Sequence, residues 1–288
     1  MTAAVTAKSS HFTPLTWLYA PGDRPEVVAK ALVSGADVVL VDLEDAVAPH
    51  RKEYARAATA ELLTDPSPSP VPVHVRVNAP HTPLGDADLA ALSPLPGLSG
   101  LRLPKVTSPA DVVRAAERSA RPEGGPPPLY ALLETALGVE HAYAIASAHP
   151  ALGGIALGEA DLRADLGVRA DVALDWPRSR VVLAARAASL PPPVQSVHPD
   201  TRDLDGLAGS CAHGRALGFL GRAALHPRQL PVIEGAYLPT AQEVDRAEEV
   251  VRAAAVEPGA QALADGRFID TAVVAAARRT LSLARRGM

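Results

Sequence analysis

Cysteine is almost absent. Cys211 is the only one in 288 residues, so no disulfide framework can form within the chain, which suits a reducing compartment. It reads as a small core residue. Lysine is nearly as scarce: Lys8, Lys30, Lys52 and Lys105 are the only four, against an excess of Ala, Arg and Pro that we read as codon usage. No basic block interrupts a net charge of -4, so the electrostatics give no reason to expect nucleic acid as a partner. The apolar runs fall far short of a membrane span, and no membrane association is expected. The opening MTAAVTAKSSHFT is polar and has no apolar signal region, so we expect no signal peptide and a cytoplasmic protein. No Gly-rich nucleotide fingerprint follows the first strand signal, which counts against a doubly wound open sheet. No cluster of His and Cys has the spacing of a zinc site.

What is present is a repeated unit. The composition, 48% hydrophobic and 21% charged, is that of an ordinary soluble domain, and the length permits one large core. Apolar strand signals fall at 15–21, 37–45, 71–79, 100–105, 128–135, 153–161, 193–198 and 221–227. Helix-type segments such as PEVVAKALVSG, ADVVRAAERSA and RSRVVLAARAASL alternate with them. Continuous apolar strands bounded by helices imply a parallel sheet covered on both faces. Eight such units imply an α/β TIM (β/α)8 barrel. The expected organisation is a disordered N-terminal tail at 1–14, a barrel at 15–238 and a C-terminal helical extension at 239–288. The extension opens on a capping box, Thr240 with Glu243, and is long enough to cap the barrel or reach a neighbouring subunit.

Active sites of such barrels lie at the C-terminal ends of the strands. Here those ends carry Asp42, Glu44 and Asp45; Arg76 and Asn78; Lys105; Glu134; Glu159 and Asp161; and His226. A carboxylate beside a core is costly unless paired, hydrated or bound to a metal. Glu134 and Asp161, from successive strands, can share one Mg²⁺, which takes hard oxygen ligands and leaves positions for a chelating substrate. They can equally be helix N-terminal residues that complement the dipole, and the residue types alone leave both readings open. Lys105 is the only lysine at a strand end. A Schiff-base role is open to it, but the surrounding carboxylates favour a salt bridge. His226 reads as a satisfied strand-end histidine, with orientation of metal-bound water as the other option.

The motifs LYAPGDRPEVVAKA (18–31), GADVVLVDLEDAVAP (35–49), VRVNAP (75–80), LPK (103–105), ALLETALGV (131–139), ALGEADLRADLG (156–167) and GFLGRAALHPRQ (218–229) resemble those of the HpcH/HpaI aldolase and citrate lyase β-subunit family, and more narrowly its stand-alone CitE-like CoA-ester lyases. The resemblance runs from about residue 15 to 287. It implies a TIM barrel with a C-terminal extension, Mg²⁺ dependence, and reversible carbon–carbon cleavage of a 3-hydroxyacyl-CoA. On this sequence the family's metal ligands match Glu134 and Asp161, and its substrate arginine matches Arg76. Arg24 and Lys30 match positions near the CoA phosphates. GRFID (266–270) resembles the segment that brings an aspartate from a neighbouring subunit, which points to Asp270 as the base and to a homo-oligomer, a trimer by resemblance. Asp270 also stands where a plain helix N-cap would. Glu44, with Asp45, is placed to orient metal-bound water or Arg76. The resemblance leaves open malyl-, citramalyl- or citryl-CoA as substrate, a CoA-independent 2-oxo acid aldolase, a citrate lyase β subunit working in a complex, and thioester hydrolysis after cleavage.

Overall fold

The computed structural model describes residues 13–121, 124–256, 259–263 and 266–287, which divide into two compact units. The larger, Leu15–Tyr237, holds seven parallel strands: β1 (Thr16–Pro21), β2 (Val38–Asp42), β3 (Val73–Arg76), β4 (Gly100–Leu103), β5 (Leu129–Leu133), β6 (Leu152–Leu157) and β7 (Arg222–Ala224). Their spatial order is β6-β5-β4-β3-β2-β1-β7, so each strand up to β6 lies beside its predecessor. The strands are short and apolar because both of their faces are covered. All five residues of β2 are buried, as are all four of β4. Helices between the strands close the outer face with residues three and four apart, such as Val28, Ala31 and Leu32, or Val112, Ala115 and Ala116. Inside, Trp17, Val38, Leu40 and Ala223 pack with Tyr19, Tyr130, Val194 and Val197.

The eighth position is where expectation and structure differ. Residues 193–198 form no named strand. They join the sheet through one parallel bridge, Gln195 to Arg222. The Gln195 N–H donates to the Gly221 carbonyl at 3.0 Å, and its carbonyl accepts from Ala223 at 3.0 Å. The cause is proline. Pro191, Pro192 and Pro193 lead into the segment and Pro199 ends it, and each removes a ladder donor. On the other side the Ser196 hydroxyl lies 3.4 Å from the Glu159 N–H, beyond the end of β6. The unit is a TIM-type (β/α)8 barrel with this segment as its weakest stave. Prolines elsewhere do the opposite work: Pro25, Pro83 and Pro109 open helices, where a missing N–H costs nothing.

The smaller unit comprises the stretch before Leu15 and Leu238–Met288. Of the tail expected at 1–14, residues 1–12 lie outside the described residues. The helix Ala241–Val256 opens on the expected capping box: Thr240 N donates to Glu243 Oε2 at 2.8 Å and Glu243 N to Thr240 Oγ1 at 3.2 Å. An antiparallel pair, β8 (Gln261–Ala262) and β9 (Phe268–Ile269), leads to the helix Thr271–Ala284. Ala247, Val250, Ile269 and Ala277 form this unit's own core. Among the described residues no helix is long and apolar enough to cross a membrane.

Candidate active site

Register builds the site. Asp42 ends β2 and Arg76 ends β3, and the two are direct partners across the ladder. The Arg76 fork therefore meets the Asp42 carboxylate edge-on, Nε to Oδ1 at 2.8 Å and Nη2 to Oδ2 at 2.6 Å. Asp42 is itself fixed by the backbone N–H groups of Glu44 (2.9 Å) and Ala46 (3.2 Å). The other Arg76 nitrogen, Nη1, lies 2.9 Å from Glu44 and 3.4 Å from Asp45, and the guanidinium sits 5.2 Å over the Tyr19 ring. Burial alone would weaken this cation, but the bonds and charge of Asp42 raise its pKa well above the usual range. Arg76 is thus a rigid, permanently charged donor at the rim of a cavity of about 400 Å³.

Lys105 follows β4 in the left-handed region, at φ 55°. A non-glycine residue there costs about 1–2 kcal/mol. Its N–H is offset by a short bond, 2.6 Å, to Glu134 Oε1. The Lys105 ammonium then reaches 3.2 Å from Asp161, 3.4 Å from Glu44 and 3.7 Å from Glu134. Three carboxylates, from the segments that follow β2, β5 and β6, converge on one positive charge. Burial would lower the Lys105 pKa, yet these neighbours raise it above its ordinary value, so the amine is held protonated in a salt bridge. The Glu134 carboxyl is pushed up, chiefly by burial, against the pull of Lys105.

Two assignments change. Glu159 and Asp161 do not end a strand. β6 stops at Leu157, and both sit in the first turn of the helix Glu159–Leu166. Glu159 turns away from the carboxylate cluster: Arg178, 2% exposed, grips it with Nε at 3.0 Å and Nη2 at 2.7 Å. Nor does Glu134 cap the helix after it, because Thr135 does so by accepting from Gly138 N at 3.1 Å. Asn78 is spent on the buried Asp88, at 2.8 and 2.6 Å. His226 caps the turn Pro227–Gln229, and Cys211 is a buried core residue.

The stretch Leu15–Pro227, which contains the whole of this arrangement, matches the family model of the HpcH/HpaI aldolase/citrate lyases, residues 15–227. The chain belongs to that family. Its relatives include a (3S)-malyl-CoA thioesterase of Cereibacter sphaeroides, 35% identical over 93% of each chain. A citrate lyase subunit beta-like protein of Mycobacterium tuberculosis is 36% identical over 92% of this chain and 93% of its own. The solved structure of CitE from Mycobacterium tuberculosis, in complex with magnesium, acetoacetate and coenzyme A, superimposes at a TM-score of 0.80 with 35% identity, covering 96% of this chain and 100% of that one. As a member of a lyase family the chain is an enzyme.

Among the described residues, the remaining expected site residues either form no ion pair with the carboxylate cluster within the larger unit or belong to the smaller one. Arg24 and Lys30 are exposed, at the start and in the last turn of the helix Pro25–Leu32. In the smaller unit Asp270 is an N-cap, its Oδ1 accepting from Ala272 and Val273, each at 2.9 Å. Reading the sequence missed Asp42 as the partner of Arg76. It also missed Lys52, whose ammonium donates to the Leu43 and Glu44 carbonyls at 2.7 and 2.6 Å and so fastens the loop that carries Glu44.

Glu44 yields a pH prediction. The residue is 5% exposed, and although its carboxylate is ion-paired, neither oxygen has a partner in hydrogen-bond geometry. Burial raises its pKa from 4.5 to about 7; Arg76 and Lys105 lower it, and Asp45 and Glu134 add to the rise. Between those values the folded chain keeps a proton that the unfolded chain has released. The stability Glu44 contributes is therefore full below about 4.5 and is lost as pH rises through about 7. With chelator present, Glu44→Gln should melt progressively higher relative to wild type across that window. A constant gap between the two melting temperatures at every pH would refute this.

Proposed function

We propose that the protein is a Mg²⁺-dependent carbon–carbon lyase. It splits a 3-hydroxyacyl-CoA of malyl, citramalyl or citryl type into an acyl-CoA and a 2-oxo acid, and joins them in reverse. The observation that carries this reading is the convergence of Glu134, Asp161 and Glu44 on one cation position, beside the fixed guanidinium of Arg76. The donor set fits Mg²⁺, which prefers one or two carboxylates completed by water and substrate. Among the described residues no three His, Cys, Asp or Glu side chains form a ready-made metal cage. Glu134 and Asp161 would hold the ion, and Lys105, its side chain 44% exposed, has room to move aside. When bound, Mg²⁺ supplies Lewis-acid polarisation of the oxygen on the carbon being cleaved.

The chain's own residues do the rest. In cleavage a base takes the proton of the 3-hydroxyl, the carbon–carbon bond breaks, and its electron pair passes to the thioester as an enolate, so that one proton lost by the hydroxyl balances one gained by the acyl carbon. Arg76 donates to that enolate oxygen as charge develops. Glu44 and Asp42 keep its fork aimed. A proton must then reach the acyl carbon, or leave it in the synthetic direction. We assign that transfer to Asp270 of a neighbouring subunit, within a homo-oligomer, a trimer by family resemblance. Arg24 and Lys30 are assigned to the CoA phosphates, and a cytoplasmic location fits such substrates. Asp270→Asn keeps an equally good cap while removing the base. It should lower the rate on the order of 10²-fold, and mixing it with Arg76→Ala should restore part of the activity. Near-normal turnover of Asp270→Asn would leave only the cap.

The deciding experiment offers the purified protein malyl-, citramalyl- and citryl-CoA with Mg²⁺ or EDTA, scoring acyl-CoA, 2-oxo acid and free CoA separately. Equal acyl-CoA and 2-oxo acid, abolished by EDTA, is expected. Turnover indifferent to EDTA, or none, would overturn the reading. A second reading, thioester hydrolysis, is favoured by the thioesterase of Cereibacter sphaeroides among the relatives. It predicts free CoA.

A further inference from the structure

Below the rim, the barrel interior holds a second arginine. Arg102 lies in β4, in register with Arg76 of β3 and with Tyr130 of β5. It is 3% exposed and lines the same cavity. Its guanidinium sits 5.3 Å over the Trp17 ring, and its Nε has no hydrogen-bond partner. The rings packed beside it are uncharged. Trp17 meets His74 at 5.1 Å and Tyr130 at 5.8 Å. Burial, then the charge of Arg102, hold the His74 pKa down to about 3, so this imidazole is neutral. Trp17 Nε1 and His74 Nδ1 are likewise buried without partners. Among the described residues no carboxylate pairs with Arg102.

A cation withdrawn from water without a counter-ion is costly, and structures seldom keep one without a use. The contrast with Arg76 is instructive. Asp42 already neutralises that group, whereas Arg102, which also lines the cavity, has no carboxylate paired with it among the described residues. Building on the lyase reading above, we propose that Arg102 binds a second carboxylate of the 2-oxo acid, so that the substrate is a 2-oxo dicarboxylic acid. With Mg²⁺ held by Glu134 and Asp161, the acid's own carboxylate and oxo group would belong beside that ion, and the thioester belongs at Arg76. The remaining arm of the acid then points inward, toward Arg102. A guanidinium matches a carboxylate fork to fork, and the apolar walls strengthen the pair.

The test measures binding of oxaloacetate and of pyruvate by calorimetry in Mg²⁺. Wild type should prefer oxaloacetate at least tenfold. Arg102→Met should bind oxaloacetate no better than pyruvate, with pyruvate and Mg²⁺ affinities unchanged. It should melt no lower than wild type, because it deletes an uncompensated charge. Arg102→Lys, which keeps the charge without the fork, should retain part of the preference and guards against misfolding of the methionine variant. Equal binding of both acids by wild type, a preference that survives in Arg102→Met, or equal loss of both acids would overturn the role of Arg102. Failure of wild type to bind either acid in Mg²⁺ would instead overturn the lyase reading on which it rests.

Discussion

Replacing Glu134 by glutamine is expected to abolish Mg²⁺-dependent turnover while leaving the barrel folded. Glutamine is the informative substitution because Glu134 has two jobs. Its Oε1 accepts the N–H of Lys105 at 2.6 Å and so holds a residue at φ 55°. A glutamine oxygen can keep that bond. What it cannot keep is the negative charge, and charge is what a hard cation needs. Loss of an outer-shell partner already costs ~10–100-fold in metal affinity, and loss of a ligand should exceed that. The side chain has little freedom to compensate. A Cβ at Gly158 would come 2.5 Å from Glu134 Oε2, so the carboxylate packs directly against that glycine. The melting temperature should stay near that of wild type or rise, since burial already penalises the ionised form of Glu134. Calorimetric titration with Mg²⁺ checks the claim: unchanged affinity in Glu134→Gln would remove Glu134 from the metal site.

The sequence disclosed the strands and concealed the pairings. VVLVD, LYALL and the run through Leu157 read as core strands because they are continuously apolar between helices. The carboxylates after them stood out because water-seeking groups rarely follow such runs without a reason. The segment 193–198 misleads for a related cause: its Val-Gln-Ser-Val pattern suits a strand, but flanking prolines withhold the donors a strand needs. Partnership was harder to see. Asp42 and Arg76 lie 34 residues apart and meet only through the register of β2 on β3. Glu159 looked like a site carboxylate until Arg178, 19 residues on, took both its oxygens. Arg102 is not legible in the sequence because every residue of β4 is buried, so no alternation marks which side chains face the interior.

Arg76→Lys should reduce kcat/KM by about 10²–10³-fold, the range for removing an electrostatic donor aimed at developing charge. The replacement keeps one positive charge and nearly the same length, so any loss reports geometry. The guanidinium offers a fork: Nε and Nη2 are committed to Asp42, and Nη1 faces Glu44. That double attachment fixes the plane and removes the need to reorganise when the enolate forms. An ammonium has no plane. It would be drawn into the centre of Asp42, Glu44 and Asp45, carboxylates that already crowd the place, and would turn away from substrate. The Tyr19 ring under the guanidinium would also lose its flat partner. Because the defect lies in transition-state stabilisation, kcat should fall by most of the total while Mg²⁺ affinity holds. A loss confined to KM would mean that Arg76 only grips the ground state. Near-full turnover would show that the fork fixed by Asp42 has no part in the chemistry.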